Sequence, residues 1–442
     1  MDAITKLFQG PTRQKRPYQV GIEIERLGMW TDGTALHYGD QAHAGQTRWG
    51  AEKLLNTLAA QKGWEPVLSS LQRPIGLKSP HGKVSLEPGS QLELSSDPHP
   101  NLNSLIADVA VFESAVSQIT KPWGLHWLGL GHNPCNSVED IDLIPAPRYQ
   151  FMTNYLGRKG KLATRMMKLT TSVQVNLDYG SETEGMEMLR ASLLLAPLSY
   201  AMFANSPFAD GKLTPYLSYR AEIWRQTDPE RTGLLDEVFC DGFGFEEYAK
   251  LVYTRPLMFA QDTRGEFVPA EGLSLADIEQ GKLPGVEVDD NNRMNSVREI
   301  FTEARLKPGY IEIRSIDGQR ADYRYATTAF WMGALYSADA RALVMKTLGK
   351  LTNAQRAALL EQVLKQGLSA KAEGIDVGGL ANEVVDLAKG GLQARGFNEE
   401  HFLCPLSENV RARLNPAQIL IRNYEGSWNK SLSKVIEYCG GV

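Results

Sequence analysis

Four short segments alternate apolar and polar residues with a period of two, and they constrain the fold more than any other feature of the chain. In the first, Val20, Ile22 and Ile24 point one way while Gly21, Glu23 and Glu25 point the other. In the second, Leu92 and Leu94 oppose Gln91, Glu93 and Ser95, and Glu87 precedes a Pro88–Gly89 bend. Val173, Val175 and Leu177 oppose Ser172, Gln174, Asn176 and Asp178, and Ile311 and Ile313 oppose Tyr310, Glu312 and Arg314. Such alternation marks half-buried strands. One face belongs to a core and the other to something wet, which predicts an antiparallel sheet with helices covering one side.

On any single strand an exposed carboxylate is ordinary. Taken together, however, the polar sides hold Glu23, Glu25, Glu87, Glu93 and Glu312 beside Gln174 and Asn176, with only Arg314 for balance. Two carboxylates about 4 Å apart repel by about 4 kcal/mol at an effective dielectric of about 20. Gathered on one face, such a cluster requires cations. Histidine and cysteine are absent from these strands, so the donor set is oxygen alone, which selects Mg²⁺ or Mn²⁺ over zinc or copper. Magnesium on carboxylates keeps positions open for substrate phosphates, and that points to an enzyme using a nucleoside triphosphate.

The common phosphate loops are missing. None of the Gly-Lys pairs, at 82, 160, 211, 281 and 349, is followed by Ser or Thr, and neither Gly-x-Gly at 129/131 nor that at 242/244 extends to G-x-G-x-x-G. Metals and arginines would therefore hold the phosphates. Arg148 in PAPRYQFM, Arg220 in PYLSYRAEIW, Arg231 in DPERTG and Arg314 in YIEIRS are the candidates, because a planar guanidinium fork suits carboxylate and phosphate. Trp331, in AFWMG, suits either a pocket wall or a core helix.

The rest of the chain reads as helices. Leu105, Val109, Phe112, Val116 and Ile119 form a stripe on one helix face; further helices are predicted at 51–62 and from 186 toward 203, the latter bent at Pro197. Residues 338–395 read as a run of helices with breaks at Gly367, Gly374 and Gly378–Gly379. With 47 basic and 52 acidic residues the chain offers no polyanion footprint, so neither nucleic acid nor a membrane surface is expected as a partner. The N-terminal stretch lacks the apolar region of a secretory signal. Cys135, Cys240, Cys404 and Cys439 are widely spaced, which fits reduced thiols in the cytoplasm.

GIEIE, SLEPGSQLELS, PRYQFM, TSVQVNLDY, FANSPFADG, YLSYRAEIW, TDPERTG, DGFGFEEY, YIEIRSIDG, AFWMGALY and NPAQILIRNYEGSW occur in that order. In this the chain resembles the glutamate–cysteine ligases of the plant and proteobacterial type, from about Tyr18 to about Tyr438. The resemblance implies an α+β fold, a curved, mainly antiparallel sheet wrapped by helices and similar to the catalytic sheet of glutamine synthetase. It implies one catalytic domain over 1–442, with residues from about 338 to 442 as a helical region packed on it. Glu23, Glu25, Glu87, Glu93 and Glu312 would bind Mg²⁺ at the ATP phosphates. Gln174 and Asn176 would lie at the same phosphate face, Arg314 and Glu312 would act on the transferred phosphoryl group, and Arg148, Arg220, Trp331, Met258 and Ser172 would line the substrate pocket.

The implied reaction joins the γ-carboxylate of glutamate to the amine of cysteine through a γ-glutamyl phosphate, the first step of glutathione-type thiol biosynthesis. Two departures stand on the amine side. Lys168-Leu169-Thr170-Thr171-Ser172 replaces the family's usual R-T-C-T, and Met258 replaces a pocket tyrosine. They keep open a related ligase with another amine or acid, while the full set of carboxylates argues against a non-catalytic subunit. Monomer and homodimer both stay open.

Overall fold

The computed structural model describes residues 2–9 and 18–440. The N-terminal stretch examined for a signal, and the last residues of the 1–442 span, thus fall partly outside the described residues. Nine strands form the main sheet: β1 (Val20–Trp30), β2 (Glu65–Leu68), β3 (Pro74–Ser79), β4 (Gly82–Leu86), β5 (Leu92–Ser96), β6 (Leu125–Leu128), β7 (Val173–Asp178), β8 (Ala304–Lys307) and β9 (Tyr310–Ile313). Their order is β8-β9-β7-β1-β5-β4-β3-β2, with β6 joining β1 off this path, and every pairing is antiparallel.

The register sorts the side chains as the alternation requires. Glu23 stands opposite Gln174, Glu25 opposite Glu93, and Glu312 opposite both Asn176 and Arg305. Cross-strand partners share a face, so these residues occupy one side of the sheet. Ile22, Ile24, Leu94, Val173, Val175, Leu177, Ile311 and Ile313 occupy the other and are buried in the principal apolar cluster. A slip of one residue would bring the carboxylates into that core, so the register is tightly specified.

Helices supply the rest of this core. They include α1 (Ala51–Lys62), α2 (Leu102–Thr120), α3 (Pro147–Leu156), α4 (Ala163–Leu169), α5 (Glu182–Phe203), α6 (Tyr219–Arg225), α7 (Ala321–Tyr336), α8 (Ala338–Leu348), α9 (Asn353–Gln366) and α10 (Val377–Arg395). The α2 stripe buries Leu105, Val109, Phe112, Val116 and Ile119, and the Asn101 side chain caps its start by accepting the Ser104 N–H. Ser181 does the same for α5, with Glu182 and Glu184 favourably placed in the first turn. Pro197 lies within α5, so it does not end that helix.

α5 packs on β8 and β9, α7 packs on β7, and α8, α9 and α10 pack in turn on α5 and α7. The breaks at Gly367 and Gly374 are observed, but Gly378 and Gly379 lie inside the first turn of α10. The reason is local: Gly378 is pressed against the Leu368 carbonyl and the Arg413 side chain, so its missing Cβ serves close packing rather than a turn. Among the described residues no helix is long and apolar enough to cross a membrane. The four cysteines are free thiols.

Candidate active site

Glu23 and Glu25 leave β1 on the polar face, and their hydrogen-bond partners are neutral. Glu23 Oε1 accepts from Asn176 Nδ2 at 3.1 Å. Glu25 accepts from the Ser172 N–H at 2.7 Å and from Gln174 Nε2 at 2.9 Å. Glu93, on β5, accepts from the Ser95 hydroxyl at 2.6 Å. Burial first, then Glu312 and Glu93, pushes the Glu23 carboxyl up to about 7. Burial and then Glu93 do the same to Glu25, against the opposing pull of Arg220 and Arg314. Burial, Glu93 and Glu25 raise Glu87 well above the usual range.

The turn carrying Glu87 is fixed from behind. Gly89 approaches α4 so closely that a Cβ would sit 2.3 Å from the Lys168 carbonyl oxygen. Gln91 accepts the Gly89 N–H and donates to the carbonyls of Met167 and Thr170. One buried amide thus stitches the 87–91 turn to the end of α4.

The cations of the face gather elsewhere. Glu312, fully buried, meets Arg305 and Arg314 at 2.6 Å and Lys307 at 3.2 Å. Burial alone would raise its pKa, but these three neighbours outweigh that and hold the carboxyl well below the usual range. Glu312, expected as a metal ligand, has oxygens that face three cations. Arg305 and Lys307 were missed because β8 spans only four residues. The signal was nevertheless there, since Ala304-Arg305-Leu306-Lys307 alternates in step with its partner strand.

Arg314 Nη1 donates to Gln174 Oε1 at 2.7 Å and to Glu312, while its guanidinium lies over Trp224. Arg220, on α6, is 2% exposed; Nη2 donates to the Arg314 carbonyl, but Nε and Nη1 have no partner. A buried guanidinium with two unused donors is suited to receive an anion. Arg148 opens α3 beside Tyr149, to whose hydroxyl it donates, and Tyr149, then Glu87 and Glu93, keep it protonated. Sequence strings 166 residues apart, from Arg148 to Arg314, thus converge around one set of carboxylates.

Two residues expected at the pocket are enclosed by the fold. Trp331 is fully enclosed in α7, edge to face with Phe330, in the apolar cluster that also holds Val175 and Ile313. Its surroundings are those of a core side chain. Met258 is buried and donates its N–H to Glu299 Oε2 at 2.7 Å, within an ionic knot of Asp228, Arg231 and Glu299. That knot accounts for the Arg231 string as scaffold.

Among the described residues no three His, Cys, Asp or Glu side chains are spaced to hold a metal ion as they stand. The fit to a hard cation rests instead on donor chemistry. Glu23, Glu25, Glu87 and Glu93 offer oxygen alone, burial and mutual repulsion raise the carboxyls of Glu23, Glu25 and Glu87 despite the cations nearby, and the neighbouring Asn176 Oδ1 is buried without a partner. Magnesium held by one or two carboxylates plus substrate phosphates needs no preformed protein cage.

Residues 50–437 match the family model for glutamate-cysteine ligase family 2 (GCS2). The chloroplastic glutamate–cysteine ligase of Arabidopsis thaliana is 36% identical over 439 residues, covering 99% of this chain and 82% of that protein. The chloroplastic enzyme of Solanum lycopersicum is 38% identical over 428 residues, covering 96% and 80%. Among solved structures, the glutamate–cysteine ligase of Francisella tularensis in complex with AMP matches with a TM-score of 0.61 at 12% identity, over 96% of this chain and 89% of that one. A bifunctional glutathione synthetase from Pasteurella multocida matches at 0.55 and 13%, over 99% and 53%. At those identities the two structures speak for the shared fold.

Proposed function

The chain belongs to glutamate–cysteine ligase family 2, and from that premise we propose that the polar face of the sheet is where its ATP-dependent reaction takes place. The enzyme joins glutamate to cysteine, the first step of glutathione biosynthesis. Glu23, Glu25, Glu87 and Glu93 would hold Mg²⁺ or Mn²⁺. Such an ion supplies neutralising charge to the phosphoryl oxygens.

A carboxylate is a poor acyl electrophile, so the γ-carboxylate of glutamate attacks the γ-phosphorus of ATP and ADP departs. The cysteine amine then attacks the acyl carbon of the γ-glutamyl phosphate, phosphate leaves, and the new amide nitrogen loses its proton. Both steps load negative charge onto phosphoryl oxygens, and preorganised donors aimed at that charge lower the barrier. Arg314, held by Gln174 and Glu312, is the donor assigned to the phosphoryl group. Arg220, with two unused donors, is assigned to the glutamate carboxylate, and Arg148 flanks the Glu87–Glu93 side. Glu312 anchors the cations rather than the metal. Ser172 and Gln174 orient Glu25 by donating to it.

One observation carries this reading: the buried Glu93 and the half-buried Glu23, Glu25 and Glu87 crowd one face beside a knot of cations gathered on Glu312. We further take the whole chain as one catalytic unit. The four free thiols support a reducing compartment such as the cytoplasm. The test is product identification by mass spectrometry after incubation with ATP, Mg²⁺, glutamate and an equimolar mixture of amino acids. γ-Glutamylcysteine should dominate and should vanish with EDTA. Full turnover by Glu25→Gln would refute the assignment of the face.

A further inference from the structure

The core side of β1 does not remain apolar. Ile22 and Ile24 are followed on the same face by Arg26, at the point where β1 changes partner: it pairs with β5 as far as Arg26 opposite Leu92, and with β6 from Leu27 opposite Leu128. Beneath this fork lies a cavity of about 830 Å³, walled by Leu92, Phe112, Val116 and Trp127 and bearing Arg26 and Glu113 on its lining. That volume is typical of a small-molecule site. The cavity is back to back with the reaction face, because Glu25 and Glu93 leave the same two strands in the opposite direction.

The charge in this cavity does not balance. Arg26 Nη2 donates to Glu113 Oε1, and Arg324 Nη2 donates to Glu113 Oε2 at 2.7 Å. Two guanidiniums thus share one carboxylate. Arg324 is fully buried, and the buried Arg26 Nε, Arg324 Nε and Arg324 Nη1 have no hydrogen-bond partner. Unmet buried charge is costly, and hydrocarbon in place of Arg26 would pack more cheaply against Leu92 and Phe112. The two guanidiniums outnumber Glu113 and Lys121 adds a further positive charge to the lining, so the natural complement is an anion.

We propose that this cavity is a binding site for a small anion with an apolar body, a carboxylate or sulfonate on an aromatic or branched skeleton. Arg26 takes the anionic group, and Leu92, Phe112, Val116 and Trp127 enclose the rest. A neutral apolar molecule leaves the extra charge unmet.

A matched pair of fluorescent probes tests this on the full chain: anilinonaphthalene sulfonate, and phenylnaphthylamine, which has the same ring system without the charge. The sulfonate should bind saturably at one site per chain. Arg26→Gln should weaken it about tenfold or more, as expected for loss of a charge-assisted hydrogen bond, and Arg26→Lys should retain most of the affinity. Phenylnaphthylamine should bind both the parent protein and Arg26→Gln alike. Ser117→Trp, which fills the cavity from a half-buried position on α2, should abolish sulfonate binding and leave ligase turnover unchanged. The proposal is overturned if sulfonate binding is absent, if it survives Ser117→Trp, or if a folded Arg26→Gln binds it as the parent does. Should Arg26→Gln fail to fold, Ser117→Trp decides alone.

Discussion

Replacing Glu312 by Gln separates two roles that a carboxylate on this face could have. If it anchors cations, the substitution leaves Arg305, Lys307 and Arg314 packed together without their shared counter-charge. Removing one partner of a buried ion pair costs about 3–5 kcal/mol. Unfolding entropy of about 2.1 cal/mol/K per residue over 442 residues gives about 0.9 kcal/mol/K, so the melting temperature should fall by about 3–5 °C. If Glu312 instead served chiefly as a metal ligand, its charge would be a burden without metal, because it is the second-largest cause raising Glu23. The metal-free protein would then be unchanged or more stable. Thermal melting in EDTA decides between the two. A melting temperature equal to or above that of the parent refutes the anchoring role. Adding Lys307→Met to Glu312→Gln should recover part of the loss, since the double variant removes one of the stranded cations.

Three further outcomes follow from the same geometry. Arg220→Gln should lower kcat/KM for glutamate by roughly 30- to 160-fold, the worth of a charge-assisted pair of about 2–3 kcal/mol, with KM for ATP little changed; steady-state kinetics checks it. Glu25→Gln should weaken the apparent Mg²⁺ dependence about tenfold or more, read from turnover against Mg²⁺ concentration. His132 is fully buried with its Nδ1 on the Phe208 carbonyl, and burial, then Arg165, push its pKa down to about 3. An unfolded histidine near 6.5 takes up the proton first, so its contribution is full above pH 6.5 and is lost as pH falls, by about 2 kcal/mol between pH 7 and 5. Denaturant titrations should show a shallower acid decline for His132→Phe, and an equal slope would contradict the assignment.

What could be read from the sequence was whatever depended on neighbours along the chain. Ile22, Glu23, Ile24 and Glu25 declare a half-buried strand by themselves, and the Leu105–Ile119 stripe declares a helix. Glu23, Glu25, Glu93 and Glu312 could be gathered onto one face because period two leaves no other arrangement once one face is apolar, whereas Glu87 stands at the bend that follows β4. What stayed hidden depended on contacts made across the fold. Arg305 and Lys307 alternate, but over four residues that is too short a run to stand out, and only pairing with β9 reveals that they enclose Glu312. Gly378 and Gly379 looked like a break because close packing against Leu368 and Arg413 is invisible along the chain. Trp331 sits in the same kind of string whether it lines a pocket or a core, and the choice is made by Phe330 and the strands beneath.

Gln91 ties together two segments that are 76 residues apart. Its amide bonds to Gly89, Met167 and Thr170, and Gly89 itself leaves no room for a side chain beside Lys168. The turn bearing Glu87 and the stretch leading to Ser172 therefore behave as one interchangeable part. A chimera that imports only residues 167–172 from a relative with a different sequence there inherits a turn fitted to another backbone, and it moves Glu87 along with whatever the graft was meant to change. Residues 87–91 have to travel with it.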